Sequence, residues 1–182
     1  MEEYAYILDY LPKGLPGGNF AKKEPLCYAL GDEEFKLFEL VPKVNAQMNI
    51  GDRVYIGKDT AKRAHIDHVK RRVGFDELTA ASKAEMEYVV ADIVMEDQAR
   101  FIRFYNEAQA ISLKKHMLEE LPGLGKKTMI SIIDERKKGL FKDFSDLGTR
   151  VPLIKGPEKN IIRRVVQELS EPGLKHYIFV SR

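Results

Sequence analysis

The sequence is poor in cysteine, in long apolar runs and in net charge. Cys27 is the only cysteine among 182 residues, which excludes an internal disulfide and an all-cysteine metal or iron–sulfur site. No run approaches the roughly 18 uncharged apolar residues of a membrane-spanning helix, and the first residues are acidic, unlike those of a secretory signal. We therefore expect a soluble cytoplasmic protein without a membrane partner, and we interpret Cys27 as a small buried hydrophobe.

Two common nucleotide-binding motifs are also absent. A P-loop has the pattern G-x-x-x-x-G-K-[ST], but around Gly125 the first glycine position holds Glu120 and the last position holds Lys127. A dinucleotide-binding loop has a third glycine where Thr128 stands. The glycines in this region therefore do not indicate a nucleotide site.

The histidines form an incomplete set of metal ligands. His65 and His68 stand three residues apart with Asp67 between them, and no later Cys or His pair completes a tetrahedral site. We therefore expect no metal and no other cofactor. Both histidines are assigned to a basic surface, where partial protonation adds to the attraction of phosphate.

The net charge of +2 hides a separation of charge along the chain. Residues 53–72 contain seven Lys or Arg and two acids, residues 76–97 one Lys and seven acids, and residues 114–164 thirteen Lys or Arg and seven acids. Two basic segments thus flank an acidic one, as expected if the flanking segments contact phosphate. A lysine-rich solvated surface is the alternative. In the first segment the candidate contacts are Arg63, Lys70, Arg71 and Arg72.

Short β-rich runs separated by turn residues occupy the first part of the chain. They are EYAYILDYL, PLCYALGDEEFKLFELV and NIGDRVYI, and the last of these begins with a Gly51-Asp52 turn. Their length and spacing predict a small OB-like β-barrel over residues 1–75. Barrels of this type often bind oligonucleotides.

From Asp76 onward the apolar residues follow a helical period. The pair Ser82 and Glu85 has the spacing of a capping box, and a helical connector is predicted over residues 76–111. Ser112 is placed to cap a helix that ends at Leu121; further helices are predicted at 129–137, near 145 and over 157–169, and YIFV near the C-terminus predicts a strand. The predicted fold class is multi-domain α+β, with an N-terminal barrel, the connector and a C-terminal all-α domain over residues 112–182.

The segment from Leu118 to Ile133, LEELPGLGKKTMISII, combines a Pro-Gly turn with a following helix. Its glycines turn the chain sharply and let another molecule approach the backbone. The unpaired N–H groups and the positive dipole end of the second helix form a natural seat for a phosphate oxygen. Because such contacts carry no base information, we predict little sequence specificity. A tight turn without a ligand is the alternative. The candidate contacts are Gly123, Leu124, Gly125, Lys126, Lys127 and Thr128.

This segment resembles the helix-hairpin-helix motif of DNA repair, recombination and nuclease proteins, with Met129 where that family usually has a small residue. Downstream, FKDFSDLGTRV and PLIKGPEKNIIRRVVQEL resemble the second unit of a tandem helix-hairpin-helix domain. There Gly156 lies in a turn that lacks the paired glycines. The resemblance implies a mainly structural second hairpin, with Lys155, Lys159, Arg163 and Arg164 as candidate phosphate neighbours.

Over nearly its whole length the chain also resembles an archaeal family of uncharacterised proteins that join an OB-like barrel to a tandem hairpin domain. The matching stretches are VYIGKD, RVGFDELTAASKAEME, RFIRFYNEA and the hairpin itself. The resemblance implies nucleic-acid binding and a link to ribosomal or transcription components. We therefore expect a non-catalytic binder of the RNA or DNA backbone. The alternative is a protein-interaction module of a ribosome-assembly or transcription complex.

Enzymatic interpretations fit the residues less well. Some helix-hairpin-helix proteins are DNA glycosylases that use a hairpin lysine as nucleophile and an aspartate further along the chain. Lys127 would fill the first role, but Ser145 stands at the second position, with Asp143 and Asp146 on either side as caps of a short helix. No compact cluster of Asp and Glu suggests the paired metal ions of a nuclease. We predict no catalytic residue.

Overall fold

The computed structural model describes residues 1–16 and 24–182. These residues form two compact units. We call the first the sheet unit; it comprises the described residues of 1–89 together with residues 168–182. The second, the helical unit, comprises residues 90–167.

Five antiparallel strands form one sheet in the sheet unit. They are β1 (Tyr4–Leu11), β2 (Leu26–Gly31), β3 (Leu37–Pro42), β4 (Arg53–Tyr55) and β5 (Ile66–Arg72). Their spatial order is β4-β1-β2-β3-β5. The strands predicted in EYAYILDYL, PLCYALGDEEFKLFELV and NIGDRVYI are confirmed, whereas β5 coincides with the segment in which only a basic surface was predicted.

Apolar side chains are buried on both faces of the sheet. Ala5, Cys27 and Ala29 belong to a cluster on one face, and Tyr28 and Leu30, which alternate with them along β2, are buried as well. The interpretation of Cys27 as a buried small hydrophobe is confirmed. Burial, assisted by the negative charge of Asp9, raises the pKa of this thiol to about 12.

The prediction of a closed OB-like barrel is wrong. β4 and β5 are the two edges of the sheet, so the sheet is an open half-barrel. A side chain spans the ends of these strands: the Arg63 guanidinium donates to the carbonyl oxygens of Gly57 (2.8 Å) and Ile56, just after β4, and of Asp67 (2.9 Å) in β5. Within the described residues no backbone ladder pairs β4 with β5, so the sheet does not close into a barrel.

Five α-helices follow the sheet along the chain. They are α1 (Ala80–Glu96), α2 (Gln98–Glu107), α3 (Lys126–Arg136), α4 (Phe144–Arg150) and α5 (Pro157–Ser170). The helices predicted from the apolar period at these places are confirmed. None of the helices in the described ranges is long and apolar enough to cross a membrane.

The prediction of a C-terminal all-α tandem helix-hairpin-helix domain is wrong. The stretch from Ser112 to Leu121 contains one 3₁₀ turn, Met117–Glu120, in place of a helix, because residues before it close a tight turn in which the Ile111 amide donates to the Lys115 carbonyl at 2.8 Å. Residues 168–182 belong to the sheet unit. The segment YIFV forms no strand.

A buried glutamate holds the last residues of the sheet unit. The Glu168 carboxylate accepts hydrogen bonds from the amides of Ile178 (2.7 Å), Phe179 (3.0 Å) and Val180 (2.9 Å). These amides therefore bond to a side chain and not to a neighbouring strand, which explains why the expected strand does not form.

Two arginines hold the ends of helices in the helical unit. Arg136 donates to the carbonyl oxygens of Tyr105 (3.0 Å) and Ala108 (2.8 Å) at the end of α2, and burial lowers its pKa. Arg150 donates to the Glu135 carbonyl oxygen (2.8 Å) near the end of α3. Cations at helix C-termini satisfy carbonyls that have no partner within the helix.

Candidate nucleic-acid interface

The first turn, residues 121–125, leads from the 3₁₀ turn into α3. Leu121 and Leu124 are buried, and the Leu124 amide donates to the Leu121 carbonyl oxygen at 3.2 Å. Between them Gly123 has a φ of +79°, in the left-handed region where a side chain is strained. The turn thus anchors its two leucines in the core and leaves exposed backbone at Gly123 and Gly125.

Helix α3 begins beside this turn without a side-chain cap. Gly125 is the N-cap residue, and no side chain accepts a hydrogen bond from the first helical amides there. Helix geometry leaves these amides without partners inside the helix. Lys126 and Lys127 are exposed in the first turn of α3, and neither lies within ion-pair distance of an acidic residue in the described part of the chain. The start of α3 therefore presents hydrogen-bond donors and positive charge together.

The second turn, residues 151–156, repeats this construction before α5. Val151 and Ile154 are buried, and the Ile154 amide donates to the Val151 carbonyl oxygen at 3.1 Å, as in the first turn. Gly156 also has a φ of +79°. The two turns are not identical: the residue after the proline is Gly123 in the first and Leu153 in the second, and the left-handed Gly156 lies directly before α5.

The two turns line one cleft of about 240 Å³ in the helical unit. We call it the two-turn cleft; its lining residues are Gly123, Leu124, Thr128, Leu153, Ile154, Lys155, Lys159, Asn160 and Arg163. Asn160 of α5 joins the turns, because its side-chain amide donates to the Pro122 carbonyl oxygen at 2.8 Å. A Cβ atom at Gly123 would make ordinary van der Waals contact, at 3.6 Å, with side-chain nitrogens of Asn160 and Arg163, so the left-handed backbone and not lack of space favours glycine here.

The charge of the two-turn cleft is entirely positive. Lys155, Lys159 and Arg163 are exposed, and no aspartate or glutamate is among the lining residues. Within residues 1–16 and 24–182, none of the three cations forms an ion pair. The structure thus brings residues of both predicted hairpins, which lie about thirty positions apart in the sequence, to one cationic surface.

Arg164, the fourth candidate in this segment, lies elsewhere. It is only 4% exposed, and its guanidinium donates to the backbone carbonyl oxygen of Glu120 at 3.1 Å and to its carboxylate at 3.4 Å. Leu124 is buried too. Arg164 is not among the lining residues of the two-turn cleft, and Leu124 lines it with only a small exposed part of its side chain.

The basic segment around β5 belongs to the sheet unit, and two of its four candidate cations form ion pairs. Lys70 and Arg71 contact the buried Glu39 carboxylate at 3.1 and 2.8 Å, and Arg71 also contacts Glu77 at 2.6 Å. Arg63 is occupied by the three carbonyls described above. Arg72 is exposed at the end of β5. Among the described residues, three of these four candidates are thus already engaged by carboxylates or backbone carbonyls.

The two aspartates near α4 act as helix caps. Asp143 accepts a hydrogen bond from the Asp146 amide at 2.8 Å, and Asp146 accepts from the Lys142 amide at 2.9 Å and from Arg150 at 3.3 Å. The Lys142 amide, with help from Arg150, lowers the pKa of Asp146. In the described ranges, no group of three His, Cys, Asp or Glu residues is placed to hold a metal ion.

Comparison with known proteins places this architecture in a family. The family described as protein of unknown function (DUF655) matches residues 1–181. The chain belongs to the DUF655 family. It is similar to the uncharacterized protein MJ0038 of Methanocaldococcus jannaschii, with 42% identity over 181 residues that cover 99% of this chain and 80% of the relative. It is also similar to the crystal structure of Af1531 from Archaeoglobus fulgidus, with a TM-score of 0.91, 39% identity and coverage of 99% and 100% of the two chains. The expected membership of an archaeal family of uncharacterised proteins is thus confirmed.

Two residues of this DUF655 chain were missed by reasoning from its sequence. Asn160 and Leu153 line the cleft, but an isolated asparagine on a helix and a leucine after a proline carry no functional signal by themselves. The similarity between LPGL and VPLI, each with a buried first and last residue, is the feature that could have indicated both.

Proposed function

We propose that the chain binds the sugar–phosphate backbone of RNA or DNA at the two-turn cleft, largely without sequence specificity and without catalysis. The observation that carries the proposal is the cleft itself, where two similar turns converge on three unpaired cations with no acidic lining residue. Phosphate contacts from Lys and Arg supply most of the affinity of non-specific nucleic-acid binding.

The first turn supplies a second type of contact. We infer that residues 118–133 act as a helix-hairpin-helix in which the first helix is reduced to the Met117–Glu120 turn. A phosphate oxygen at the uncapped start of α3 would accept hydrogen bonds from backbone amides. Each charge contact with a helix end contributes about 0.3–1 kcal/mol when exposed.

The proposed contact set is smaller than the set predicted from sequence. It leaves out residues that are buried or already paired, namely Leu124, Arg164, Arg63, Lys70 and Arg71, together with Arg72 of the sheet unit. The set comprises Gly123, Gly125, Lys126, Lys127, Thr128, Lys155, Lys159 and Arg163.

A salt titration tests the proposal. If the five cations of the set all contact phosphate, log affinity for RNA or DNA should fall with log salt with a slope of about −4. Lys155→Gln and Lys159→Gln should each weaken binding to all sequences and reduce the magnitude of the slope by about 1. Lys142→Gln is the matched control, because Lys142 is exposed in the same unit but does not line the cleft.

Three outcomes would contradict the proposal: a flat salt dependence, no binding at low salt, or equal effects of the cleft and control substitutions. The first two would favour the protein-interaction alternative. Thermal unfolding of each variant serves as the folding control, and these exposed lysines should leave the transition temperature unchanged.

A further inference from the structure

An exposed leucine lies among the cations of the two-turn cleft. Leu153 is 57% exposed, and it lines the cleft with Lys155 and Lys159. The first turn has Gly123 at the equivalent position and so presents bare backbone. One wall of the cleft is therefore polar and open, and the other carries an apolar side chain that the fold does not cover.

The position of Leu153 limits what could cover it. Phosphates held by Lys155 and Lys159 would place the attached nucleosides beside the leucine, since all three side chains line one small cleft. In a duplex the base faces are stacked on one another, whereas single strands and loops offer unstacked faces. An apolar side chain gains most from contact with such an uncovered face.

We propose that Leu153 packs against an unstacked base, so that the two-turn cleft selects single-stranded over double-stranded nucleic acid. The inference rests on the proposed function and adds the class of substrate. Phosphate contacts at the lysines and at α3 supply affinity for either form, and contact with Leu153 supplies the preference. Covering the exposed part of a leucine corresponds to about fivefold in affinity.

The experiment compares single strands with duplex for the wild type and Leu153→Ala. Fluorescence anisotropy with labelled oligouridine and oligothymidine of about 12 nucleotides, and with mixed-sequence DNA and RNA duplexes of about 12 base pairs, spans the usual site size. Leu153→Ala should weaken single-strand binding about fivefold while leaving duplex affinity and both salt slopes unchanged. Leu153→Phe should preserve or increase single-strand affinity, since a ring stacks on any base.

Leu140→Ala is the matched control. Leu140 is 67% exposed in the same unit but does not line the two-turn cleft, so its loss should change neither affinity. Equal weakening of single-strand and duplex binding by Leu153→Ala would overturn the inference, as would no weakening at all. In both cases a steep salt slope would leave the proposed function standing, whereas absence of binding to every probe would overturn the proposed function and the inference together.

Discussion

His116 caps the 3₁₀ turn that precedes the two-turn cleft. Its ring Nδ1 accepts a hydrogen bond from the Leu118 amide at 3.0 Å, and its own amide donates to the Glu119 carboxylate at 2.7 Å. Burial, followed by the positive charge of Arg136, lowers the pKa of His116. A protonated ring nitrogen cannot accept a hydrogen bond, so the cap requires the neutral imidazole.

The stabilisation by this cap should depend on pH. Because the pKa is lower in the folded than in the unfolded state, the unfolded state binds more protons, and the contribution of His116 is complete above pH about 6.5 and is lost as the pH falls through the folded pKa. His116→Asn keeps a side-chain acceptor that does not titrate. As the pH falls from about 7.5 to about 5, the wild type should lose this contribution and the variant should not. The free energy of unfolding of the variant, relative to that of the wild type, should therefore rise as the pH falls. A difference that stays constant over this range in chemical denaturation would contradict the capping role.

Single residues also show why the sequence could not identify every contact. Arg163 and Arg164 are neighbours of the same charge, yet one is exposed in the cleft and the other is buried against Glu120. The face of α5 on which each lies decides the difference, and the acidic partner stands 44 positions away. Arg63 likewise looks like a surface cation until its three carbonyl partners are seen.

At the scale of elements, the start of α3 allows stability and binding to be separated. Gly125 has extended backbone, with φ of −80°, and a Cβ atom there would meet nothing within 4 Å. Gly125→Ser therefore fits without strain, and its hydroxyl can accept from the free amides of α3. We expect a few tenths of a kcal/mol of added stability, measured by chemical denaturation, together with weaker nucleic-acid binding, because the serine occupies donors that the phosphate would use.

In contrast to Gly125→Ser, Gly123→Ala should lower the free energy of unfolding by about 1–2 kcal/mol, because the backbone at position 123 is left-handed. Binding by Gly125→Ser as tight as that of the wild type would show that the phosphate does not use the amides of α3.

The elements that were predicted correctly are those with a clear local pattern in the sequence. Short β-rich runs bounded by turn residues indicated β1 to β4, and helical periods indicated α1, α2 and α5. The helix expected from Ser112 failed because Ser112 binds locally: its hydroxyl accepts from the Lys114 amide at 3.3 Å and favours a turn over a helix. The capping box expected at Ser82 is displaced in the same way, because the Thr79 hydroxyl accepts the Ser82 amide at 3.1 Å and α1 begins at Ala80.

At the scale of the whole molecule, the incorrect predictions concern which segments, distant in the sequence, pair or pack together. Barrel closure requires β4 and β5 to pair, and no local pattern in either strand encodes that choice. The grouping of residues 168–182 with the sheet unit is equally non-local. The meeting of both turns in one cleft was not predicted either, although the similarity between LPGL and VPLI is a local feature of the sequence.

A substitution at Glu168 tests how the final segment is held in the sheet unit. Its carboxylate accepts three amides of the final segment, and hydrogen bonds to charged groups contribute about 1.5–3 kcal/mol each. Glu168→Gln replaces one acceptor oxygen by a donor, so the amides of Ile178, Phe179 and Val180 should exchange with deuterium faster than in the wild type. Amides of β2 provide the internal reference and should exchange at an unchanged rate. Unaltered exchange of the three amides would contradict the anchoring role.

The lone cysteine gives the sheet unit a natural chemical reporter. Cys27 lies on β2, between β1 and β3, with no exposed surface and a pKa of about 12. A thiol reagent can modify it only when the strands separate, because both access and thiolate formation are suppressed in the closed sheet. The labelling rate as a function of denaturant would therefore distinguish local opening of the sheet from global unfolding, with no engineered probe.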